Sequence, residues 1–195
     1  MNEQLSLIQR FRKTVIGEYA EALIWAVALA LVLTTFVVQA FKIPSGSMLE
    51  TLQIGDHLLN DDYLIRGVEP KVGDIIVFRY PKDRSLDYIK RIVGVPGDTL
   101  EMRNKVLYRN GVEVQEPYTQ HSQPLIMIPG RDNWGPITVP ADKFFALGDN
   151  RDDSADSRFW GFLDRNDIRG KAWRIYWSAD GLSNIRLNRI GRAVE

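Results

Sequence analysis

Hydrophobic and polar positions fall into two regimes along this chain. Residues 22–41, ALIWAVALALVLTTFVVQAF, contain no charged side chain, and a helix of about 20 such residues is about 30 Å long, the thickness of a bilayer core. The pattern predicts one membrane-spanning helix, residues 22–41, after a leader, residues 1–21. A cleaved secretory peptide competes with this reading, with Val38 and Ala40 as small residues at a cleavage-like spacing. The apolar core of such a peptide is only about 7 to 15 residues, however, and a long leader does not normally precede it. After residue 41 the pattern changes to short apolar and β-branched runs separated by Gly, Pro, Asn and Asp. Strands are predicted at DIIVFRY (74–80), YIKRIVGV (88–95), KFFAL (143–147) and AWRIYW (172–177). In VLYRNGVEV (106–114) the Asn110-Gly111 pair favours the left-handed dihedrals of a type I′ hairpin turn. Residues 163–168 suit a single helical turn, and residues 116–140 a long excursion between strands. The expected fold is mainly β, an N-terminal transmembrane helix followed by an all-β domain over residues 42–195.

Charge gives the span a direction. Arg10, Arg12 and Lys13 lie just before it and only Lys42 follows closely, so the positive-inside bias puts the N-terminus in the cytoplasm and residues 42–195 on the extracytoplasmic side. Trp25 is a candidate interface anchor or an ordinary lipid-facing aromatic. The 25 basic and 25 acidic residues balance, which leaves no net field to recruit nucleic acid. With no cysteine, disulfides, thiolate metal sites and a cysteine nucleophile are excluded. The two histidines, His57 and His121, lack metal-ligand spacing, and neither a metal nor a cofactor is expected.

Three segments carry candidate chemistry. Directly beyond the apolar run, Ile43-Pro44-Ser45-Gly46-Ser47-Met48 sets a serine between residues that give it little cover; a solvated loop would look the same. In Tyr88-Ile89-Lys90-Arg91-Ile92 a lysine interrupts an apolar strand, and period-two alternation turns it to the face of Tyr88 and Ile92. A neutral lysine amine can serve a serine nucleophile as base, provided burial depresses a pKa of about 10.4. A strand lysine reaching solvent is the bland alternative. The third segment, residues 148–161, holds Asp149, Arg151, Asp152, Asp153, Asp156 and Arg158. It reads as a salt-bridged loop, with a calcium-like cluster disfavoured because the EF-hand glycine and terminal glutamate are missing.

Together these segments, Pro-Ser-Gly-Ser-Met after a span, Asp-Tyr-Ile-Lys-Arg with Gly-Val-Pro-Gly-Asp, and Gly-Asp-Asn-Arg-Asp-Asp-Ser-Ala-Asp-Ser-Arg-Phe-Trp-Gly, resemble bacterial type I signal peptidases over about residues 41–170. The resemblance implies a membrane-bound serine endopeptidase that removes signal peptides from exported preproteins after Ala-x-Ala-like sites. It implies Ser47 as nucleophile and Lys90 as general base, Ser45 with the Ser47 amide as oxyanion donors, and Ser154 orienting the lysine amine. Phe41, Ile43, Pro44, Leu52, Val77 and Ile89 match positions lining shallow pockets for small side chains, and Arg91, Asp149, Asp156 and Arg158 match structural ion pairs. The signal peptides of exported preproteins and the lipid bilayer of the inner (plasma) membrane are the implied partners, with the secretion machinery a further one.

The chain departs from the family pattern at Glu50, where proline is common, and at His57-Leu58-Leu59-Asn60-Asp61-Asp62-Tyr63, which replaces a run with Asn and Lys. Few residues separate Lys90 from Gly148, which leaves room for only a small inserted β subdomain or long excursion, about residues 104–142. The basic stretch at residues 185–192 suits lipid headgroups or a solvated tail. Two other functions fit the same features, a non-catalytic membrane-tethered β scaffold and a specialised peptidase maturing pilin or conjugation proteins.

Overall fold

The computed structural model describes residues 15–36, 38–61, 68–181 and 184–195. The basic residues of the leader, Arg10, Arg12 and Lys13, and Asp62 and Tyr63 of the atypical run lie outside the described residues. Residues 1–39 and 40–195 form separate compact units.

In the first unit, helix α1 (Val15–Phe36) opens with Glu18 in its first turn, an acid that suits the positive end of the helix dipole. Leu23, Ile24, Trp25, Val27 and Leu29 are all exposed. The helix stops at Phe36, short of the expected residue 41, because the chain from Val38 turns extended as β1 (Val38–Lys42). Only residues 22–36 of the uncharged run are therefore helical, about 22 Å at the usual rise. Among the described residues no helix is long and apolar enough to cross a membrane.

The second unit is mainly β, as the alternation predicts. Its larger sheet comprises β1, β2 (Asp56–Asp61), β3 (Ile75–Tyr80), β4 (Asp83–Gly94), β9 (Lys143–Leu147), β10 (Leu163–Asp164), β11 (Ile168–Asp180) and β12 (Asn184–Ile185). Their order is β1-β2-β11-β3-β4-β9-β10, with β12 paired to β11. The second sheet has the order β7-β6-β5-β8, from β5 (Thr99–Arg103), β6 (Val106–Arg109), β7 (Val112–Glu113) and β8 (Trp134–Thr138). This sheet begins at Thr99, before residue 104, and lies within the same compact unit as the larger one. Asn110 and Gly111 have φ of 56° and 78° between paired Arg109 and Val112, the expected type I′ turn. Asn104 and Lys105, with φ of 49° and 70°, turn β5 into β6 in the same way. β8 lies inside the stretch expected to be irregular, and residues 165–167 supply the single helical turn.

Central strands β3 and β4 are buried on both faces from Ile75 to Phe78 and from Ile89 to Gly94. One core cluster packs Ile43, Met48, Leu52, Val77, Ile89 and Val194. A second, with Val93, Leu100, Met102, Leu107, Phe145 and Leu147, joins the two sheets.

The C-terminal segment is not a solvated tail. Asp56 is fully buried, and an isolated carboxylate in that position would be costly. Arg189 meets it through Nη2 at 2.6 Å and also donates to the Thr51 carbonyl at 3.0 Å. Burial alone would raise the Asp56 pKa, but the bonds from Arg189, the Gln53 amide and Ser178 outweigh it and hold the carboxyl below its usual range. Arg186 reaches Ser178, Gln53 and the Ile54 carbonyl. Gly55, at φ 87°, passes so close to the Ala179 carbonyl that a methyl group would collide with it. Gly55→Ala is expected to lower stability by about 3 kcal/mol, through a left-handed backbone combined with overpacking, as a lower urea midpoint at unchanged slope.

Candidate active site

The loop after β1 is held from both ends. Ile43 N–H donates to Asp56 O at 2.8 Å and Gly55 N–H to Ile43 O at 2.9 Å, while Leu52 N–H closes a helical turn onto Met48 O. Met48 and Leu52 are fully buried, so the loop is plugged into the core on either side of its exposed turn. Asn150 grips it from the opposite segment: its amide donates to Ser47 O at 3.1 Å and its Nδ2 to Gly46 O at 3.0 Å. Asn150 stands in the Gly-Asp-Asn-Arg segment, but the sequence reading gave it no role.

β4 carries Lys90 opposite Ile76, and its ammonium is 3% exposed among apolar walls. Lys90 Nζ lies 2.7 Å from Ser47 Oγ and donates to Ile89 O at 2.8 Å. Burial pushes the Lys90 pKa down from 10.5 to about 8, against the opposing attraction of Asp156 and Asp149. An amine that readily loses its proton therefore touches a serine hydroxyl, an arrangement suited to acyl transfer. Ser45 Oγ is 3.4 Å from Ser47 Oγ. Among the described residues the Ser47 amide has no hydrogen-bond acceptor, which leaves a second donor beside the same hydroxyl.

The expected ion pairs form. Arg91 binds Asp149 in bidentate fashion, Nε at 2.9 Å and Nη2 at 2.7 Å, and stacks on Tyr118. Thr51 Oγ1 donates to the same carboxylate at 2.6 Å, tying it to the serine loop. Asp156 pairs with Arg158 at 2.7 Å and accepts from the Gly148 amide at 3.1 Å, while capping helix α2 (Ser157–Trp160). Gly148 is required between these acids, because a side chain there would run into Ser154 Oγ and Ser47 O. Ser154 is brought beside the dyad, but among the described residues its buried hydroxyl has no hydrogen-bond partner; the amine is held by Ile89 O instead.

A cavity of about 390 Å³ opens on the dyad, lined by Phe41, Ile43, Pro44, Val77 and Ile89 as expected. Leu52 is absent from its wall: it is fully buried in the cluster behind Ile43 and Val77, because the Met48–Leu52 turn points it inward. Lys42, Asp87, Tyr88, Asp153 and Ala155 also face the cavity. Asp87, Tyr88, Asp153 and Ala155 stand within the segments that carry the family resemblance, which assigned them no place in the pocket, and Lys42 is a single charge after an apolar run. Glu50 faces a different cavity, with Tyr118, Gln120 and Arg192. His57 sits edge-on to Tyr176 on the β2–β11 face.

Two stability predictions follow from these buried charges. Asp149→Ala leaves Arg91 without its carboxylate and is expected to cost about 3 to 5 kcal/mol in denaturant unfolding. Lys90→Met is expected to stabilise the protein by about 2 kcal/mol at pH 7. Between about pH 8 and 10.5 the folded wild type has already released a proton that the unfolded chain still holds. Wild-type stability therefore rises with pH across that window, and the variant's advantage should fade there.

Residues 16–177 match the family model described as signal peptidase, peptidase S26. The chain is 39% identical to "Signal peptidase I" of Leptolyngbya laminosa, over 82% of this chain and 79% of that one. It is 38% identical to "Probable signal peptidase I-2" of a Synechocystis species, over 91% and 81% of the two chains. It is also 38% identical to "Signal peptidase I P" of Bacillus subtilis subsp. natto, over 90% and 94%. A solved signal peptidase I from Enterococcus faecalis V583 is 33% identical, with a TM-score of 0.45 over 53% of this chain and 97% of that chain. With a buried amine against a serine hydroxyl at the mouth of an apolar cavity, and this likeness along most of its length, the chain belongs to the S26 family of signal peptidases, which are peptide-bond hydrolases.

Proposed function

We propose that this chain cleaves signal peptides from exported preproteins with Ser47 as nucleophile and Lys90 as general base. The observation carrying the reading is the 2.7 Å contact between Ser47 Oγ and a lysine amine that burial brings down to about pKa 8. In the neutral state of Lys90 the hydroxyl donates to its lone pair. Ser47 Oγ attacks the scissile carbonyl carbon while its proton passes to Lys90 Nζ. The resulting oxyanion accepts from the Ser47 amide and the Ser45 hydroxyl, donors that act mainly on transition-state charge. Lys90 returns the proton to the leaving amine, the C–N bond breaks, and an acyl-serine remains. A water, deprotonated by the same amine, then releases the signal peptide and regenerates the dyad.

Ile43, Val77 and Ile89, closely packed around the cavity, favour Ala-sized side chains before the cut. Arg91, Asp149, Asp156 and Arg158 act through position, holding Lys90 and the serine loop in register. Ser154 Oγ, buried and unpartnered, is available to bind the amine as it moves during turnover.

The protein is further proposed to be a single-pass inner-membrane protein with a cytoplasmic N-terminus, divided at about residues 1–21, 22–41 and 42–195. Supporting this are the uncharged run, the exposed apolar side chains on α1 and the basic residues that precede it. The C-terminal part of the run would then enter the interface in extended form.

Three outcomes are expected. Ser47→Ala and Lys90→Ala each lower kcat for an Ala-x-Ala precursor by at least about a thousand-fold, and unchanged cleavage by either would refute the mechanism. The kcat/KM of wild type rises with pH through a limb near 8, because the base must be neutral in free enzyme; a limb lost in His57→Ala would reassign it. The full-length chain stays with the membrane pellet after alkaline carbonate washing, whereas release into the supernatant would argue against a span.

A further inference from the structure

The acids of residues 149–156 are not equivalent. Asp149 is taken by Arg91, Asp152 by Lys105 and Arg131, and Asp156 by Arg158. Asp153 has no side-chain partner among the described residues; only its amide is engaged, donating to Asn150 O. It is exposed and faces the cavity that contains Ser47 and Lys90. The chain alternates here: Ser154 turns its hydroxyl inward against Gly148, and Asp153 and Ala155 on either side look into the cleft. Asp87, which also lines the cleft, is already neutralised by Arg169 at 2.9 Å. The exposed ammonium lining the cleft is Lys42, which likewise has no partner among the described residues.

We propose that Asp153 is a specificity-determining residue that makes this site prefer preproteins with a cationic side chain flanking the cut over those with an anionic one. The inference rests on the peptidase reading above and extends it to the charge of the substrate. An extended peptide crossing the cleft buries its small side chains in the apolar walls and leaves its remaining ones directed to the rim. There a lysine or arginine meets an acid whose charge nothing else offsets, and a glutamate meets repulsion. Lys42, the exposed cation that lines the same cleft, exerts the opposite bias. Because both charges are exposed, the effect is a modest one: opposite-charge contacts of this kind change rate constants about two- to five-fold, and salt screens them within about 10 Å at 0.1 M.

The test uses the full-length enzyme in detergent and one precursor carrying Lys, Gln or Glu in turn at the second residue before the cut and at the first two after it. Wild type is expected to give a kcat/KM for Lys about three-fold above Glu in at least one of these positions at low salt, with Gln between them and the contrast shrinking in high salt. In Asp153→Asn that ratio falls to about one, in Asp153→Lys it inverts, and in Lys42→Gln it grows. Opposite shifts from two variants on one cleft exclude general damage to the site. A wild-type ratio of one in all three positions, or a ratio that Asp153→Asn and Asp153→Lys both leave unchanged, overturns the proposal. Failure of wild type to cut any of the precursors sinks the peptidase reading, and this inference with it.

Discussion

Keeping an amine dry beside a hydroxyl is the constraint around which the rest of this domain is arranged. Lys90 is held at 3% exposure, and among the described residues only the Ser47 hydroxyl and the Ile89 carbonyl lie within hydrogen-bond distance of its amine. In water its proton would stay in place; among Ile43, Val77 and Ile89 it is readily lost. The same apolar side chains that line the cavity thus set the basicity of the amine. Pocket size and pKa are coupled, and enlarging the pocket by truncating Val77 or Ile89 would also admit water to the lysine.

A dry amine cannot hold itself in place, since an apolar wall has no directional grip. The direction comes from charges placed just outside that wall. Arg91 follows Lys90 in β4 and points to the other face of the strand, where Asp149 fixes it in two bonds and Thr51 joins the carboxylate to the serine loop. Asn150, the residue after Asp149, holds Gly46 and Ser47 directly. One short segment thereby sets the spacing between the Lys90 amine and the Ser47 hydroxyl. Its acids also attract the Lys90 proton, so the scaffold moderates the very shift that burial produces.

Much of the β architecture was legible because it rests on period-two alternation and on turn residues with local mechanisms: strands β3, β4, β9 and β11 and the Asn110-Gly111 turn follow from both. The Asn104-Lys105 turn was hidden because lysine has no turn preference, and its left-handed backbone is supported by ion pairs from Lys105 to Asp132 and Asp152. β8 was hidden by Gly135-Pro136, residues that usually interrupt strands. The dyad was not legible from local chemistry at all. Its serine and lysine were ordinary until the family likeness joined them, and distance supplied the reason afterwards. Leu52 was assigned to the pocket because likeness gives a position without a side-chain direction. The hold of Asn150 on the serine loop, and the pairing of Asp56 with Arg189, left no local pattern because these contacts span 104 and 133 residues.

That last pairing bears on the order in which the molecule can be completed. Asp56 closes the turn that anchors Ile43 and the serine loop, yet its carboxylate is buried against an arginine from the far end of the chain. Until Arg189 docks, the turn would have to bury a carboxylate without that cation, held by the Gln53 amide and the Ser178 hydroxyl, which is costly. The turn beneath the serine loop and the segment that carries Arg189 are therefore completed together, and the loop is fastened only once a contact spanning 133 residues has formed.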